Sequence, residues 1–288
     1  MWLGLACKAL RSAVSASKWP PWSPLPVIAE DGAVSEPPSG RFSATCHPRD
    51  GGAGIQAALD ACEEGGTILL EEGIYDFLFG QCLLINRRVH VFGRGTAILN
   101  FTAFTRDSES EEDGFDLHFI TCTSSVSLDR VRIVTNTDFD EVVTISIVDG
   151  GRLRLQQCEI SAEPYAGFYC IRVSGPTARA ELLECQISVG VRGIIFDDRS
   201  TGFVYGCNIT NFLAAGINIC DDREGVDPIA TPCSIAIARN TFSDCEDCGV
   251  YVGGEIDALW TVGEGNVFRN CTQDVLDERF EDLVQDQE

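Results

Sequence analysis

Five segments align without a gap: VSLDRVRI (126–133), LRLQQCEI (153–160), AELLECQI (180–187), GFVYGCNI (202–209) and IAIARNTF (235–242). Each reads apolar, x, apolar, x, x, Cys/Asn/Val, x, apolar, with Gly202 the one weak first position, and TVGEGNVF (261–268) is a looser sixth copy. The closing apolar residues are Ile133, Ile160, Ile187, Ile209, Phe242 and Phe268, spaced 27, 27, 22, 33 and 26 residues apart. A second short pattern follows most copies: CIRV (170–173), GIIF (193–196), GINI (216–219) and GVYV (249–252). Alternation puts Ile171 and Val173, Ile194 and Phe196, Ile217 and Ile219, and Val250 and Val252 on one face, leaving Arg172, Ile195, Asn218 and Tyr251 on the other.

A unit of this length cannot bury its own apolar side. Stacking units at about 4.8 Å brings like positions into columns and builds one continuous core. Position six then becomes a ladder of Val131, Cys158, Cys185, Cys207, Asn240 and Asn266. A turn at that point takes a small residue, or an amide that bonds the neighbours above and below. The expected fold is all-β: a right-handed parallel β-helix, or solenoid. The signature of leucine-rich repeats is absent, as is the Trp-Asp dipeptide of propeller blades.

Working outward, Ile55, Ala58, Leu59 and Cys62 follow i, i+3, i+4, i+7 spacing, so 53–64 reads as a short N-terminal capping helix. Gly65-Gly66 ends it by supplying a residue free to take positive φ. The stretch 274–287 sets Val275, Leu276, Phe280, Leu283 and Val284 among acids and reads as an acidic amphipathic cap on the far end of the solenoid. Three regions follow: 1–49, a leader and linker with basic and Pro/Ser-rich character; 50–272, the β-helix; and 273–288, the acidic C-terminal cap. Within 1–29 there is no acid, but Lys8, Arg11, Lys18 and several serines are present, a pattern that resembles an organelle transit peptide.

The formal net charge of −23 sets partners. Such a field repels phosphate backbones and anionic lipid heads, which leaves out nucleic acid and membrane and admits a carbohydrate or a protein. No run of 18 apolar residues exists. Among the 14 cysteines several fall at the inward position six, where a free thiol is a good small core residue. Reduced thiols point to an intracellular, cytoplasmic home.

These residues resemble the pectin-lyase-like superfamily. The stretch GIQAALDACEEGGTILLEEGIYD (54–76) is similar to the N-terminal cap and first coil of polygalacturonases, and the copies from 126 onward to the short carbohydrate-binding and sugar hydrolase repeats. The resemblance covers about 50–270. It implies a fold shared by lyases, hydrolases, epimerases, phage adhesins and non-catalytic modules. Asn136-Thr137-Asp138 matches the Asn-Thr-Asp of polygalacturonases. Their paired Asp, Gly-His-Gly and Arg-Ile-Lys have no counterpart: near the place of the pair stands Glu163, and His47, His90 and His118 all lie upstream.

The strongest chemical candidate is a stacked acidic cluster. Asp197-Asp198-Arg199 follows GIIF and Asp221-Asp222-Arg223 follows GINI, so Asp198 and Asp221 take the same coil position. Carboxyl groups about 5–5.5 Å apart suit a retaining glycosidase, and the cluster could instead share a Ca²⁺. The plainer alternative is a turn stack whose acids are neutralised by Arg199 and Arg223. The outward row of Arg172, Asn218 and Tyr251 offers a guanidinium, an amide and a ring to a sugar or peptide, with Arg199 and Arg223 beside it. Cys245-Glu-Asp-Cys248 lacks the further ligands of a zinc site and reads as loop cysteines before a strand. No cofactor motif is present. The expected function is a non-catalytic module that binds a carbohydrate or a protein on its parallel-sheet face. The alternative is a polysaccharide hydrolase or lyase working through Asp197, Asp198, Asp221 and Asp222.

Overall fold

A computed structural model describes residues 42–78, 80–103, 117–137, 142–148, 150–162, 169–220, 234–253 and 259–277. From Ser43 onward these form one unit, an all-β parallel solenoid of about 7 turns.

Each turn of the repeat carries three strands. In one coil they are Arg179–Leu183, Gln186–Gly190 and Arg192–Asp197, and in the next Thr201–Tyr205, Asn208–Phe212 and Ala215–Ile219. The aligned motif is therefore two strands with a corner between them. Every pairing is parallel. The third strands stack into an eight-stranded sheet, from Gln273–Asp277 back to Leu83–Ile85, and the first and second strands belong to a larger one. Register confirms the alignment: Ile133, Ile160, Ile187, Ile209, Phe242 and Phe268 are successive partners. Ile133 through Phe242 in that column are fully buried.

The corner has a repeating chemistry. Position five, which alignment left as an unspecified residue, takes positive φ in all six copies: Arg130 (55°), Gln157 (52°), Glu184 (54°), Gly206 (66°), Arg239 (56°) and Gly265 (85°). Position six turns inward and bonds along the stack. The backbone N–H of Asn240 donates to Asn266 Oδ1 at 2.8 Å, that of Cys207 to Asn240 Oδ1 at 2.8 Å, and that of Cys185 to Cys207 Sγ at 3.4 Å. Three position-six side chains donate to the position-three carbonyl one coil back, Asn266 Nδ2 to Ile237 at 3.0 Å, Asn240 Nδ2 to Val204 at 2.9 Å and Cys158 Sγ to Leu128 at 3.4 Å, whereas the Cys185 and Cys207 thiols donate to Leu183 and Tyr205 of their own coil at 3.3 and 3.5 Å. A thiol thus does at weaker strength what an amide does, which is why Cys and Asn share the position.

The three strand-starting glycines are forced by close approach. A Cβ at Gly193 would stand 2.3 Å from the Gly216 carbonyl oxygen, and one at Gly249 would stand 2.4 Å from the Phe268 ring. At the N-terminal end the helix Gly51–Ala61 buries Ile55 and Leu59, and Gly65 takes φ 80°. The sheet also takes in Ala44–Cys46, which pairs with Gly66–Leu70 and is tied down by Tyr75 Oη donating to the Cys46 carbonyl at 2.7 Å. At the other end Gln273–Asp277, placed by sequence in the acidic cap, is the last strand of the smaller sheet, paired with Cys248–Val252. The remainder of that cap, the leader 1–29 and most of the linker lie outside the described residues.

Two substitutions test the corners. Asn240→Ala strands the Cys207 N–H and the Val204 carbonyl and is expected to lower unfolding free energy by about 2–4 kcal/mol in urea titration, with Asn240→Cys losing less. A second positive-φ column runs through Val189 (63°), Asn211 (61°), Asp244 (56°) and Asn270 (54°). Only Val189 is β-branched there, so Val189→Asn is expected to stabilise by about 1 kcal/mol in the same assay.

Candidate functional site

The outward row of the smaller sheet forms as the alternation predicts. Arg172 pairs with Ile195, Ile195 with Asn218 and Asn218 with Tyr251 in continuous register, and Ser146 and Leu276 extend the row at its two ends. The row is not uniformly open. Ile195 is 1% and Asn218 4% exposed, and Ile195 packs with Cys220 and Tyr169 in an apolar cluster separate from the core. Tyr251 leans back along its own strand, with Oη 2.3 Å from where a Cβ on Gly253 would lie.

Two residues further along the strands runs a second outward column, in which Ser174 pairs with Asp197. Continuing the pairing of Phe196 with Ile219 brings Cys220 next to Asp197. Asp197 is 1% exposed and forms an ion pair with the preceding coil, Arg172 Nε to Oδ2 at 2.9 Å. Burial lifts its carboxyl above the ordinary aspartate value, opposed by Ser174 and Arg172. Its other oxygen, Oδ1, and Asn218 Oδ1 are buried acceptors without a hydrogen-bond partner. Ser174 Oγ donates to Asp198 Oδ2 at 2.7 Å. Asp198 and Arg199 are consecutive left-handed residues, φ 49° and 66°, so the chain turns sharply as it leaves the strand.

Asp197 and Asp198 are held differently, and the expected stacking of Asp198 with Asp221 lies outside the described residues. Asp197 is held by Arg172 of the preceding coil, and in its column the next coil presents a cysteine. Asp198 is held by a hydroxyl. Asp221, Asp222 and Arg223 lie outside the described residues, as do Asp138 and Glu163. Among the described residues no group of three or more His, Cys, Asp or Glu could hold a metal ion.

Cys245 and Cys248 end one strand and begin the next, and both are fully buried. Burial, first among the causes, lifts each thiol to about 12. The same cause takes Cys122 and Cys170 to about 12. All described cysteines are free thiols. The larger sheet also carries a charged row that the sequence reading passed over, through Arg152, Arg154, Arg179 and Glu181. The signal was there at the second position of the aligned motif, Arg154 and Glu181, and at the residue just before it, Arg152 and Arg179, which alternation sends to the same face.

The model of the right handed beta helix region matches residues 89–275, the span in which the coils stack. The chain belongs to the right-handed β-helix family. Comparison with curated proteins finds no match. Among solved structures it is similar to the pectin methylesterase from Aspergillus niger in deglycosylated form, at 15% identity, over 83% of this chain and 87% of that one, with a TM-score of 0.45.

The state of Asp197 gives a pH test on this β-helix. Its raised folded pKa means the folded chain holds that proton more tightly than the unfolded one. Its contribution therefore favours folding at low pH and is lost as pH rises from the ordinary value of 3.8 through the raised one. Asp197→Asn removes this term. Urea unfolding across that range should show the variant gaining on the wild type as pH rises.

Proposed function

We propose that this β-helix is a non-catalytic binding module that presents the outer face of its smaller sheet to a carbohydrate or a protein partner. One observation carries the reading: the acid best placed for chemistry is occupied structurally. Asp197 is buried and ion-paired to Arg172, and the next residue of its column is a cysteine. A hydrolytic pair needs one carboxyl to give a proton and a second free to attack or to activate water. Along the outward row beside it the Arg172 guanidinium and the Tyr251 ring stand in continuous register, with Ile195 and Asn218 buried between them. That spacing suits an extended chain laid along the helix axis. Tyr and Arg are the side chains that most often dominate such contacts.

The second reading is a polysaccharide hydrolase or lyase that uses Asp197 and Asp198 with Asp221 and Asp222. It is favoured by the raised Asp197 carboxyl, since an acid that burial makes hold its proton more tightly than usual is a general-acid candidate.

A glycan array and a pull-down, each run with wild type, Tyr251→Ala and Asp198→Asn, separate the readings. The binding module predicts retention of a glycan or a protein that Tyr251→Ala weakens about tenfold or more and Asp198→Asn leaves intact. Cleavage of any member of a polysaccharide panel by wild type, lost in Asp198→Asn, would overturn it in favour of the enzyme.

A further inference from the structure

The corner between the second and third strands of a coil repeats the design of the first. A left-handed residue, Val189, Asn211, Asp244 or Asn270, is followed by Gly190, Phe212, Cys245 or Cys271, of which Phe212 and Cys245 lie in the core and Cys271 packs against it. Gly190 pairs with Phe212 and Phe212 with Cys245. In the next coil Thr241, Phe242 and Ser243 pair with Val267, Phe268 and Arg269, and Asn270 Nδ2 donates to Asp244 Oδ1 at 2.9 Å. The register therefore carries on through the turn and sets Cys271 directly over Cys245.

The two thiols are oriented alike. Cys245 Sγ donates to the Ser243 carbonyl at 3.8 Å and Cys271 Sγ to that of Arg269 at 3.6 Å, each two residues back in its own coil, and the two interact with each other directly. In-register neighbours on parallel coils stand about 4.8 Å apart, inside the roughly 4.4–6.8 Å between Cα atoms that a disulfide spans. Access separates this pair from the thiols of the first corner. Cys158, Cys185 and Cys207 are 1–2% exposed, whereas Cys271 is only half-buried, over a fully buried Cys245. Val267–Arg269 and Gln273–Asp277, the strands on either side of Cys271, are each the last of their row among the described residues, held by one neighbouring strand.

We propose that Cys245 and Cys271 are a redox-modification site: they form a reversible disulfide that staples the segment 267–277 to the coil before it, with a small-molecule disulfide of the glutathione type as oxidant. Cys271, as thiolate, attacks one sulfur of the oxidant and releases the first glutathione thiolate. Cys245 then gives up its proton and attacks the Cys271 sulfur, which expels the second. The two protein thiols lose two electrons, the oxidant's disulfide gains them, and both protons end on the released thiols. Burial pushes the Cys245 thiol up to about 12, so the reachable Cys271 reacts first and Cys245 resolves. Cβ atoms held parallel must draw in to about 3.8 Å to close the bond. A bond under that strain is readily reduced again, as a regulatory bridge requires. It closes a loop of one coil and holds the strands with fewest partners, where local opening costs least.

The reduced full chain, equilibrated in glutathione buffers of graded oxidation state, then acid-quenched, alkylated and mapped by peptide mass, tests this. A peptide linking Cys245 to Cys271 is expected, lost on treatment with dithiothreitol, while Cys158, Cys185 and Cys207 are recovered as free thiols. Exposed Cys82 should carry glutathione and so reports that the oxidant was active. Amide exchange across 267–277 should slow about tenfold or more in the oxidised form. Cys271→Ser, at a half-buried position, should abolish that slowing and leave exchange in Arg179–Leu183 unchanged. In Cys245→Ala, Cys271 should stop at the mixed disulfide with glutathione. Glutathione on Cys271 with Cys245 still free in wild type at every ratio, a link from Cys271 to Cys248 in its place, or unchanged exchange on oxidation would each overturn the proposal. None of these outcomes bears on the smaller-sheet reading, whose binding assays are run on the fully reduced chain.

Discussion

The chain turns a corner once per coil, and at that corner a backbone N–H faces the interior with no strand partner. A buried N–H left unpaired costs free energy on the order of 1–3 kcal/mol. The side chain at position six of the next coil supplies the acceptor, and its own donor reaches the carbonyl at position three one coil back. The bond works only if coils sit directly over one another, so corner and register enforce each other. The residue before it must take positive φ, and does so in all six copies whether it is Arg, Gln, Glu or Gly. The cost of a left-handed Arg or Glu is offset at each coil by the ladder it makes possible. Towards the C-terminal end the ladder is amide, and further back it is thiol, with longer bonds. The cysteine content of this protein is in good part a consequence of that geometry.

Once the interior columns are locked, the outward residues form a fixed array. Neighbours on the surface are then a whole coil apart in sequence. Arg172 meets Asp197, Arg132 meets Glu159 at 3.2 Å, Asn100 donates to Asp76 at 2.7 Å and Ser243 Oγ lies 2.8 Å from Thr210 Oγ1. Each of these pairs is made by register. The electrostatics of both faces is therefore a property of stacking, and a one-residue slip would exchange the inward and outward sets.

The two faces differ in kind. On the smaller sheet a buried carboxylate is matched by an arginine, Asn218 is buried as well, and Tyr251 is partly exposed. On the larger sheet Arg152 and Arg179 are direct partners on adjacent strands.

The sequence alone determined the solenoid, its register and the inward ladder. A repeat that returns apolar residues to one side every coil has only stacking as a way to bury them, and Ile133, Ile160, Ile187, Ile209, Phe242 and Phe268 pair as aligned. The capping helix and the row from Arg172 to Tyr251 were legible for the same reason, being set by periods of 3.6 and 2. Tertiary structure decided what each outward group touches. That Arg172 closes on Asp197, that Cys220 follows Asp197 in its column, and that Arg152 stands against Arg179 depend on side-chain reach across coils of unequal length, 22 residues in one place and 33 in another. Local sequence carries the period of a strand, but a contact between coils exists only after the backbone has closed the turn between them.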